Sequence, residues 1–437
     1  MLAERRGTPN SMNMIEKILA KASGKKEVRP GEVVVSNVNL MVMHDLSANF
    51  VTRVFREELG GGSVFDPSRI AFVFDHNFSP ATEQAAERLF KIREFAAQYG
   101  IKNVFQGGNG SLHHVIIENG LWAPGHVIIG CDSHTPIYGA LGAFATGVGN
   151  NSMAALGFQH GSAWFKIPET IQVFLRSSTR DGVTARDIAQ YVVGHLGEDS
   201  CIYKAIEYAG PYIRSLSIED RILFPLMSID LGAKASFIDP DDKTVDFARS
   251  LSSFKDFEVM RNDADVKYER VVEIDVGKLE PQVACPPTVG NVKPVSEVAG
   301  VAINIAEVGG STGGRLDDIR VLARHLRGRR VYPGVQLQVV PANRTIYKAA
   351  LQEGLFEILI DAGANIFPPS AGSNQAVNMG AMSEEEVMIS TQARNFPGRN
   401  GHPKARHYLA SASTVAVSAL KGKITDPREG KETRLPC

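Results

Sequence analysis

The chain of 437 residues is too long for a single hydrophobic core and falls in the range of two or three domains. With 43% apolar residues, 22% charged residues and a formal net charge of -1, it gives no electrostatic reason to expect nucleic acid or an anionic membrane as partner. No secretory leader and no apolar run of about 18 residues is visible, so we expect a cytoplasmic enzyme that acts on a small molecule.

Short β-rich runs alternate with helical patterns along most of the chain. Strands are predicted at residues 70–74, 127–129 and 301–308, and helices at residues 82–99, 184–196, 219–234 and 316–327. This alternation predicts an α/β fold with parallel sheets. Open sheets of this kind bind ligands at the carboxyl ends of their strands, so polar clusters at those ends are the first candidates for a site.

Two breaks in the pattern suggest how the chain divides into domains. The first follows residues 164–170, and the second is the proline-rich segment 281–294, whose composition predicts an extended linker. We therefore predict an N-terminal extension (1–27), three domains (28–173, 174–288 and 289–424) and a tail (425–437).

Histidine and aspartate cluster at predicted strand ends and in glycine-bounded loops. The clusters are His44-Asp45, Asp75-His76, His113-His114 and Asp132-Ser133-His134-Thr135, and two arginines, Arg394 and Arg399, follow much later. A single His-Asp pair is most often a cap or a buried hydrogen-bonded pair. Four such clusters in the first third of the chain favour acid–base chemistry, because an aspartate that orients a histidine produces a general acid or base.

The four cysteines, Cys131, Cys201, Cys285 and Cys437, are scattered along the chain. No CxxC pair or zinc-like spacing occurs, so reduced thiols are expected. Cys131 is expected to be a packed small residue.

Several segments resemble a known family. Residues 130–149 read GCDSHTPIYGALGAFATGVG, residues 164–170 read WFKIPET, residues 74–77 read FDHN, and residues 394–399 read RNFPGR. These segments are similar to the large subunits of 3-isopropylmalate dehydratase and homoaconitase, in the aconitase superfamily, and the resemblance extends over about residues 15–426.

The resemblance implies three α/β/α domains around a central cleft, without the swivel domain, which in two-subunit members is a separate small chain. It implies stereospecific dehydration and hydration of hydroxy di- or tricarboxylic acids. The catalytic roles of the family fall on Asp75, His76, His113, Asp132 and His134. Substrate-binding roles fall on His44, Ser133, Arg394 and Arg399, and a bidentate guanidinium suits a carboxylate.

The sequence departs from the family at the positions of the iron–sulfur ligands. Ser311 stands at the first of the three cysteine positions, and Phe367 and Ser370 stand at the other two. Neighbouring positions also differ, with Leu226 and Ala393 in place of asparagines and Asp230 in place of a glutamate. Because clusters are held by cysteine thiolates, we expect no [4Fe-4S] cluster, and a mononuclear divalent metal stays open as an alternative.

The sequence thus predicts an aconitase-like hydro-lyase or isomerase that uses Asp-His acid–base chemistry without a cluster. A small carboxylate substrate and a small swivel-domain subunit are the expected partners, with no nucleic acid and no membrane. Two alternatives stay open: a non-catalytic carboxylate-binding or regulatory homologue, and an enzyme with a mononuclear metal. The glycine-rich loop 309–314 has two interpretations, a backbone cradle for an anion or a plain tight turn.

Overall fold

A computed structural model describes residues 11–429 of the chain. Residues 1–10 of the predicted extension, residues 430–437 of the predicted tail and Cys437 lie outside the described part. The helices of the described residues are α1 (Met14–Ala22), α2 (Asp45–Arg53), α3 (Glu83–Gln98), α4 (Leu112–Glu118), α5 (Asn150–Ser152), α6 (Ala185–Leu196), α7 (Pro211–Ser215), α8 (Ile218–Arg221), α9 (Leu223–Met227), α10 (Asp242–Leu251), α11 (Val295–Val298), α12 (Leu316–Leu326), α13 (Arg344–Gln352), α14 (Leu355–Asp361) and α15 (Ala412–Lys421).

The first sheet is fully parallel and has the strand order β4-β3-β2-β5-β6. Its strands are β2 (Leu40–His44), β3 (Ile70–Val73), β4 (Asn103–Phe105), β5 (Val127–Gly130) and β6 (Phe144–Gly147). Every residue of the three central strands is buried, as expected for parallel strands covered on both faces. The carboxyl ends of β2, β3 and β5 therefore meet at one edge.

The second sheet is also parallel, with the order β10-β9-β8-β11. Its strands are β8 (Thr170–Arg176), β9 (Ala205–Ala209), β10 (Ala235–Phe237) and β11 (Arg270–Asp275). Residues of the first sheet, such as Val42 and Ile128, share one hydrophobic core with Val173 and Ile206 of the second. The two sheets are thus held together by a continuous apolar interior.

The third sheet has its own core and the order β13-β12-β18-β17-β14-β15-β16. Its strands are β12 (Gln282–Ala284), β13 (Val292–Pro294), β14 (Ile305–Val308), β15 (Gln336–Val339), β16 (Asn365–Ile366), β17 (Val387–Ser390) and β18 (Arg406–Leu409). The strands from β18 to β16 are parallel, and β12 and β13 add an antiparallel edge.

A separate antiparallel ribbon joins β1 (Val33–Asn37) to β7 (Ser162–Lys166). Helix α1 packs beside it, and its Met14, Ile18 and Leu19 belong to the core on one face of the first sheet. Residues 14–22, which the sequence analysis places in the N-terminal extension, therefore contribute to the packed interior.

Two predicted elements differ from the structure. The predicted helix 219–234 is broken into α8, α9 and a 3₁₀ turn at Ser228–Leu231, because Pro225 lies inside it. The predicted linker 281–294 instead forms β12 and β13 at the edge of the third sheet, where prolines are tolerated. Within residues 11–429, no helix has the length and apolar character that a membrane span requires.

One glycine contact between the first and second sheets gives a stability prediction. A Cβ on Gly139 would lie 1.7 Å from the carbonyl oxygen of Ser236, so Gly139→Ala must push β10 away from the turn that packs on it. We expect a loss of about 1–3 kcal/mol in the free energy of unfolding. Urea unfolding measures it, with Gly149→Ala as the control because a Cβ there meets nothing within 4 Å. Equal stability of the two variants would contradict the prediction.

Candidate active site

The predicted histidine and aspartate clusters come together at the carboxyl edge of the first sheet. His44 is the last residue of β2, Asp75 and His76 follow β3, and Asp132 follows β5. These strands are neighbours, so their ends place the side chains in one group. His113, from α4, completes the group through its contact with Asp132.

Asp132 is the centre of the histidine group. It accepts hydrogen bonds from Nε2 of His113 (3.0 Å) and from the backbone amide of His134 (2.8 Å). Its second oxygen lies 3.6 Å from Nε2 of His44. Burial would raise the pKa of Asp132, but hydrogen bonds from His113 and His134 hold it well below its usual value. Asp132 is therefore a carboxylate anion that lies beside the rings of His113, His44 and His134.

His113 is fixed at both ring nitrogens. Because Nε2 donates to Asp132, Nδ1 is left as the acceptor for the hydroxyl of Tyr138, 3.1 Å away. Tyr138 is buried, and burial together with Asp132 raises the pKa of its hydroxyl well above the usual value. Tyr138 stays protonated and fixes the His113 tautomer.

Asp75 and His76 form a second acid–base pair. Nδ1 of His76 lies 2.8 Å from one oxygen of Asp75, and the other oxygen accepts the backbone amide of Leu112 at 2.7 Å. Burial works to lower the pKa of His76, but the Asp75 carboxylate and its hydrogen bond outweigh burial and raise the pKa to about 9. The pair thus favours a charged imidazolium.

Asp45 fixes the loop that carries this pair, a role that the sequence did not reveal. Its carboxylate accepts the backbone amides of Asp75 (3.2 Å), His76 (3.0 Å) and Asn77 (3.0 Å), and the side-chain amide of Asn77 at 2.6 Å. The Asp45 side chain is fully buried. Its position directly after His44 is the only signal in the sequence that could have pointed to it.

Two further histidines are held in the neutral form. Burial lowers the pKa of His44, and its ring lies 4.5 Å from the ring of His76, whose positive charge lowers that pKa further. Burial also lowers the pKa of His134, and its Nε2 is buried without a hydrogen-bond partner in the described part of the chain. A buried ring nitrogen without a partner is available to a ligand.

Four side chains have potential ligand atoms within 4.8 Å of one another and are the candidates for the mononuclear metal that the sequence left open: His44, Asp45, Asp75 and His76. Both carboxylates are already committed. Asp45 accepts four hydrogen bonds, and Asp75 accepts one from the His76 ring and one from a backbone amide. The chemistry of this donor set fits a hydrogen-bonded network better than a metal shell.

The two predicted arginines lie beside the histidines. Nε of Arg394 donates to Asp230 at 2.8 Å, and Nη2 of Arg399 donates to the side-chain oxygen of Asn374. The Asn374 amide nitrogen lies 3.3 Å from Nε2 of His76, which joins Arg399 to the Asp75-His76 pair. Burial, then the nearby Arg394, lowers the pKa of Arg399 to about 10, so the Arg399 guanidinium stays charged at neutral pH.

Ser133 and Cys131 flank Asp132 and are half-buried. Burial and the Asp132 charge raise the pKa of the Cys131 thiol to about 12, so it carries no thiolate at neutral pH. This agrees with the expectation of a packed, unreactive residue.

The three positions expected to have held cluster ligands lie on loops of the third sheet. The carbonyl of Ser311 accepts a hydrogen bond from His114, Ser370 is fully buried, and Phe367 is half-buried. The side chain of Gln392 occupies the space between Gly310 and Gly372, since a Cβ on either glycine would lie 2.6 Å from it. These loops contact the first sheet where the amide of Ala371 donates to the carbonyl of Asp75 at 3.0 Å.

Comparisons with known proteins agree with this picture. The chain matches the Aconitase family (aconitate hydratase) over residues 16–301 and 288–422. It is 43% identical to the 3-isopropylmalate dehydratase large subunit 1 of Pyrococcus furiosus, over 96% of this chain and 99% of that protein. It is 41% identical to the probable methanogen homoaconitase large subunit of Methanothermobacter thermautotrophicus, over 96% of this chain and 98% of that protein.

A solved structure is similar at a greater distance. The crystal structure of Thermococcus kodakaraensis aconitase X in its holo form has a TM-score of 0.48 and 11% sequence identity, over 82% of this chain and 84% of that chain. The assignment to a family rests on the sequence relatives.

The comparisons contradict one prediction. We expected no [4Fe-4S] cluster, but the chain falls among dehydratase large subunits, whose cofactor is such a cluster, so the prediction is wrong as a statement about the cofactor. The side chains at the expected ligand positions, Ser311, Phe367 and Ser370, nevertheless supply no thiolate and do not fit the group.

The predicted α/β fold of the aconitase type is confirmed, and so is the prediction of a hydro-lyase type of enzyme. Three mainly parallel sheets and the match over nearly the whole described chain lead to the same assignment. The chain belongs to the aconitase family.

Proposed function

We propose that the protein dehydrates or hydrates a small di- or tricarboxylic acid, or catalyses a related proton transfer on such an acid. The observation that supports this proposal is the grouping of three histidines around Asp132, beside a second Asp-His pair and two charged arginines. Acid–base groups next to carboxylate-binding groups are what such a reaction requires.

In the proposed chemistry, Arg394 and Arg399 bind substrate carboxylates, helped by His44 and Ser133. His76, which its carboxylate neighbours favour in the charged form, donates a proton to the departing hydroxyl. His134, neutral and with a free Nε2, is suited to accept a proton, and Asp132 stabilises the charge that then develops on the ring. Each general acid or base step contributes typically about 10²–10⁴-fold.

The partner and the arrangement of the chain are proposed from the relatives. Both relatives named above are large subunits, so we propose a small swivel-domain subunit that closes over the arginines and histidines. The three-domain division at residues 28–173, 174–288 and 289–424 and the cytoplasmic location stay predictions.

The experiment is a binding and turnover screen of hydroxy and unsaturated di- and tricarboxylates, with the chain coexpressed with a small-subunit partner. Arg394→Gln should weaken binding of the accepted acid by about 10- to 100-fold, since a charge-assisted hydrogen bond contributes about 1.5–3 kcal/mol. Arg327→Gln is the matched control, because Arg327 is exposed beyond the end of α12. Binding that is tight but never followed by turnover would replace the proposal with a non-catalytic carboxylate-binding protein.

A further inference from the structure

Asn374 is the one side chain seen to link a proposed carboxylate-binding arginine to a proposed catalytic histidine within residues 11–429. Its oxygen accepts from Nη2 of Arg399, and its nitrogen lies 3.3 Å from Nε2 of His76. It begins a turn in which Gln375 (φ 60°) and Ala376 (φ 51°) both have left-handed backbone angles. Such angles cost about 1 kcal/mol or more for residues other than glycine, so the surrounding contacts must hold the turn in place.

Two side-chain hydrogen bonds hold the turn. Asn378 donates its side-chain amide to the carbonyl of His76 at 2.6 Å, and Asn400 donates to the hydroxyl of Ser373 at 2.9 Å. The turn is therefore held on both sides of Asn374. The Asn374 side-chain amide stays within hydrogen-bonding distance of Arg399 and His76.

The orientation of the Asn374 amide follows from the chemistry of its neighbours. A guanidinium has only donors, so the side-chain oxygen of Asn374 must face Arg399. The NH₂ group then faces Nε2 of His76 and favours the ring form in which that nitrogen is an acceptor without a proton. In that form the only ring proton of His76 is on Nδ1, where Asp75 accepts it.

The charges around His76 work in the opposite direction. Burial disfavours the doubly protonated ring, while Asp75, Asp45 and Asp132 favour it. On balance these groups raise the pKa of His76 to about 9. The charges therefore favour a proton on Nε2, and the Asn374 amide opposes it.

We propose that Asn374 is a positioning residue that couples carboxylate binding to how firmly His76 holds its Nε2 proton: when Arg399 turns to a substrate carboxylate, the opposing amide is released and His76 keeps that proton to higher pH. The inference rests on the proposed function, because it assigns Arg399 to the substrate. Any proton taken up on binding comes from solvent and remains on His76, where it is available to the departing hydroxyl. Substrate binding thus extends the pH range in which the acid is protonated.

The coupling has a definite sign with pH. If the bound state has the higher His76 pKa, binding takes up a proton in the range between the free and the bound pKa values. Affinity for the carboxylate then falls as the pH rises through the His76 pKa of the complex. Without coupling, His76 contributes no decrease in carboxylate affinity as the pH rises.

The first test needs no ligand. Histidine-labelled full-length protein is titrated by NMR, and the His76 pKa is compared between the wild type, Asn374→Leu and Asn374→Asp. Loss of the opposing donor in Asn374→Leu should raise the His76 pKa by about one unit, the equivalent of one hydrogen bond, and the new acceptor in Asn374→Asp should raise it further. Gln375→Asn is the control, since Gln375 is the exposed next residue of the same turn and asparagine tolerates its positive φ. An unchanged pKa in both Asn374 variants would overturn the proposal.

The second test uses tricarballylate, a tricarboxylate that carries no hydroxyl to eliminate, and includes the small subunit. Calorimetry at about pH 9.5, between the free His76 pKa of about 9 and a bound value about one unit higher, should show net proton uptake on binding in the wild type and a smaller uptake in Asn374→Leu when buffers of different ionisation enthalpy are compared. Binding without proton uptake would overturn the coupling while leaving the proposed function in place. Binding that is unaffected by Arg399→Ala would instead remove the assigned role of Arg399, and the coupling with it.

Discussion

Replacing Asp132 with asparagine lowers turnover by about 10²–10⁴-fold, because the anion that orients His113 and lies beside His134 and His44 becomes neutral. The asparagine oxygen can still accept from the His134 amide, so the loop is expected to keep its shape. What is lost is the negative charge that stabilises an imidazolium in the reaction. Steady-state rates with the accepted acid, together with thermal unfolding, measure the two effects separately.

The control for this variant is Asp66→Asn, which removes a carboxylate from an exposed turn where Asp66 caps Ser68 and pairs with Arg69. Its turnover should stay at the wild-type level. Turnover of Asp132→Asn within a factor of about three of wild type would show that the histidine group is structural and would contradict the acid–base proposal.

Replacing Arg186 with methionine lowers the free energy of unfolding by about 2–4 kcal/mol. This buried guanidinium, on α6, donates to the backbone carbonyls of Thr312 (3.3 Å), Thr391 (2.8 Å) and Gln392 (2.6 Å) on two loops of the third sheet. Methionine keeps most of the aliphatic packing but leaves the carbonyls of Thr312 and Gln392 without the Arg186 donor, each at a cost of about 1–2 kcal/mol. The Thr391 carbonyl keeps the hydroxyl of Thr312 as a donor at 2.6 Å. Urea unfolding followed by circular dichroism measures the difference.

Arg320→Met is the matched control, since Arg320 pairs with Asp317 and Glu353 on the exposed side of α12. Exposed ion pairs contribute about 0–1 kcal/mol, so this variant should lose little. If Arg186→Met lost no more than the control, the three carbonyls would have other partners and the contact between α6 and the third sheet would depend on apolar packing.

Elements with a strong local signal were predictable. Helix α3 begins one residue after Thr82, whose hydroxyl caps it, and α12 begins at the residue where the pattern places it. The prediction of a linker at residues 281–294 was wrong, because proline content indicates local stiffness and does not indicate pairing with a distant strand. The pairing of β12 with β18 depends on residues more than a hundred positions away.

The candidate site could be predicted only in part, for a related reason. Side chains at the ends of buried strands, such as Asp75 and Asp132, are visible because strand ends have a sequence signature. Asn374 lies nearly 300 residues from His76, and nothing local distinguishes it from other asparagines. The sequence motif that contains Tyr138 does not predict its role, since the hydrogen bond to His113 exists only once the turn packs on α4.

Asp45 has a consequence for how this site could change during evolution. Its carboxylate binds backbone amides of the loop at residues 75–77 and makes no direct hydrogen bond to the His76 ring. The shape of the loop is therefore independent of which side chain position 76 carries. A substitution at position 76 would replace one reactive side chain with another while the backbone of the loop keeps its conformation. A new catalytic group could therefore arise at this position without loss of the fold.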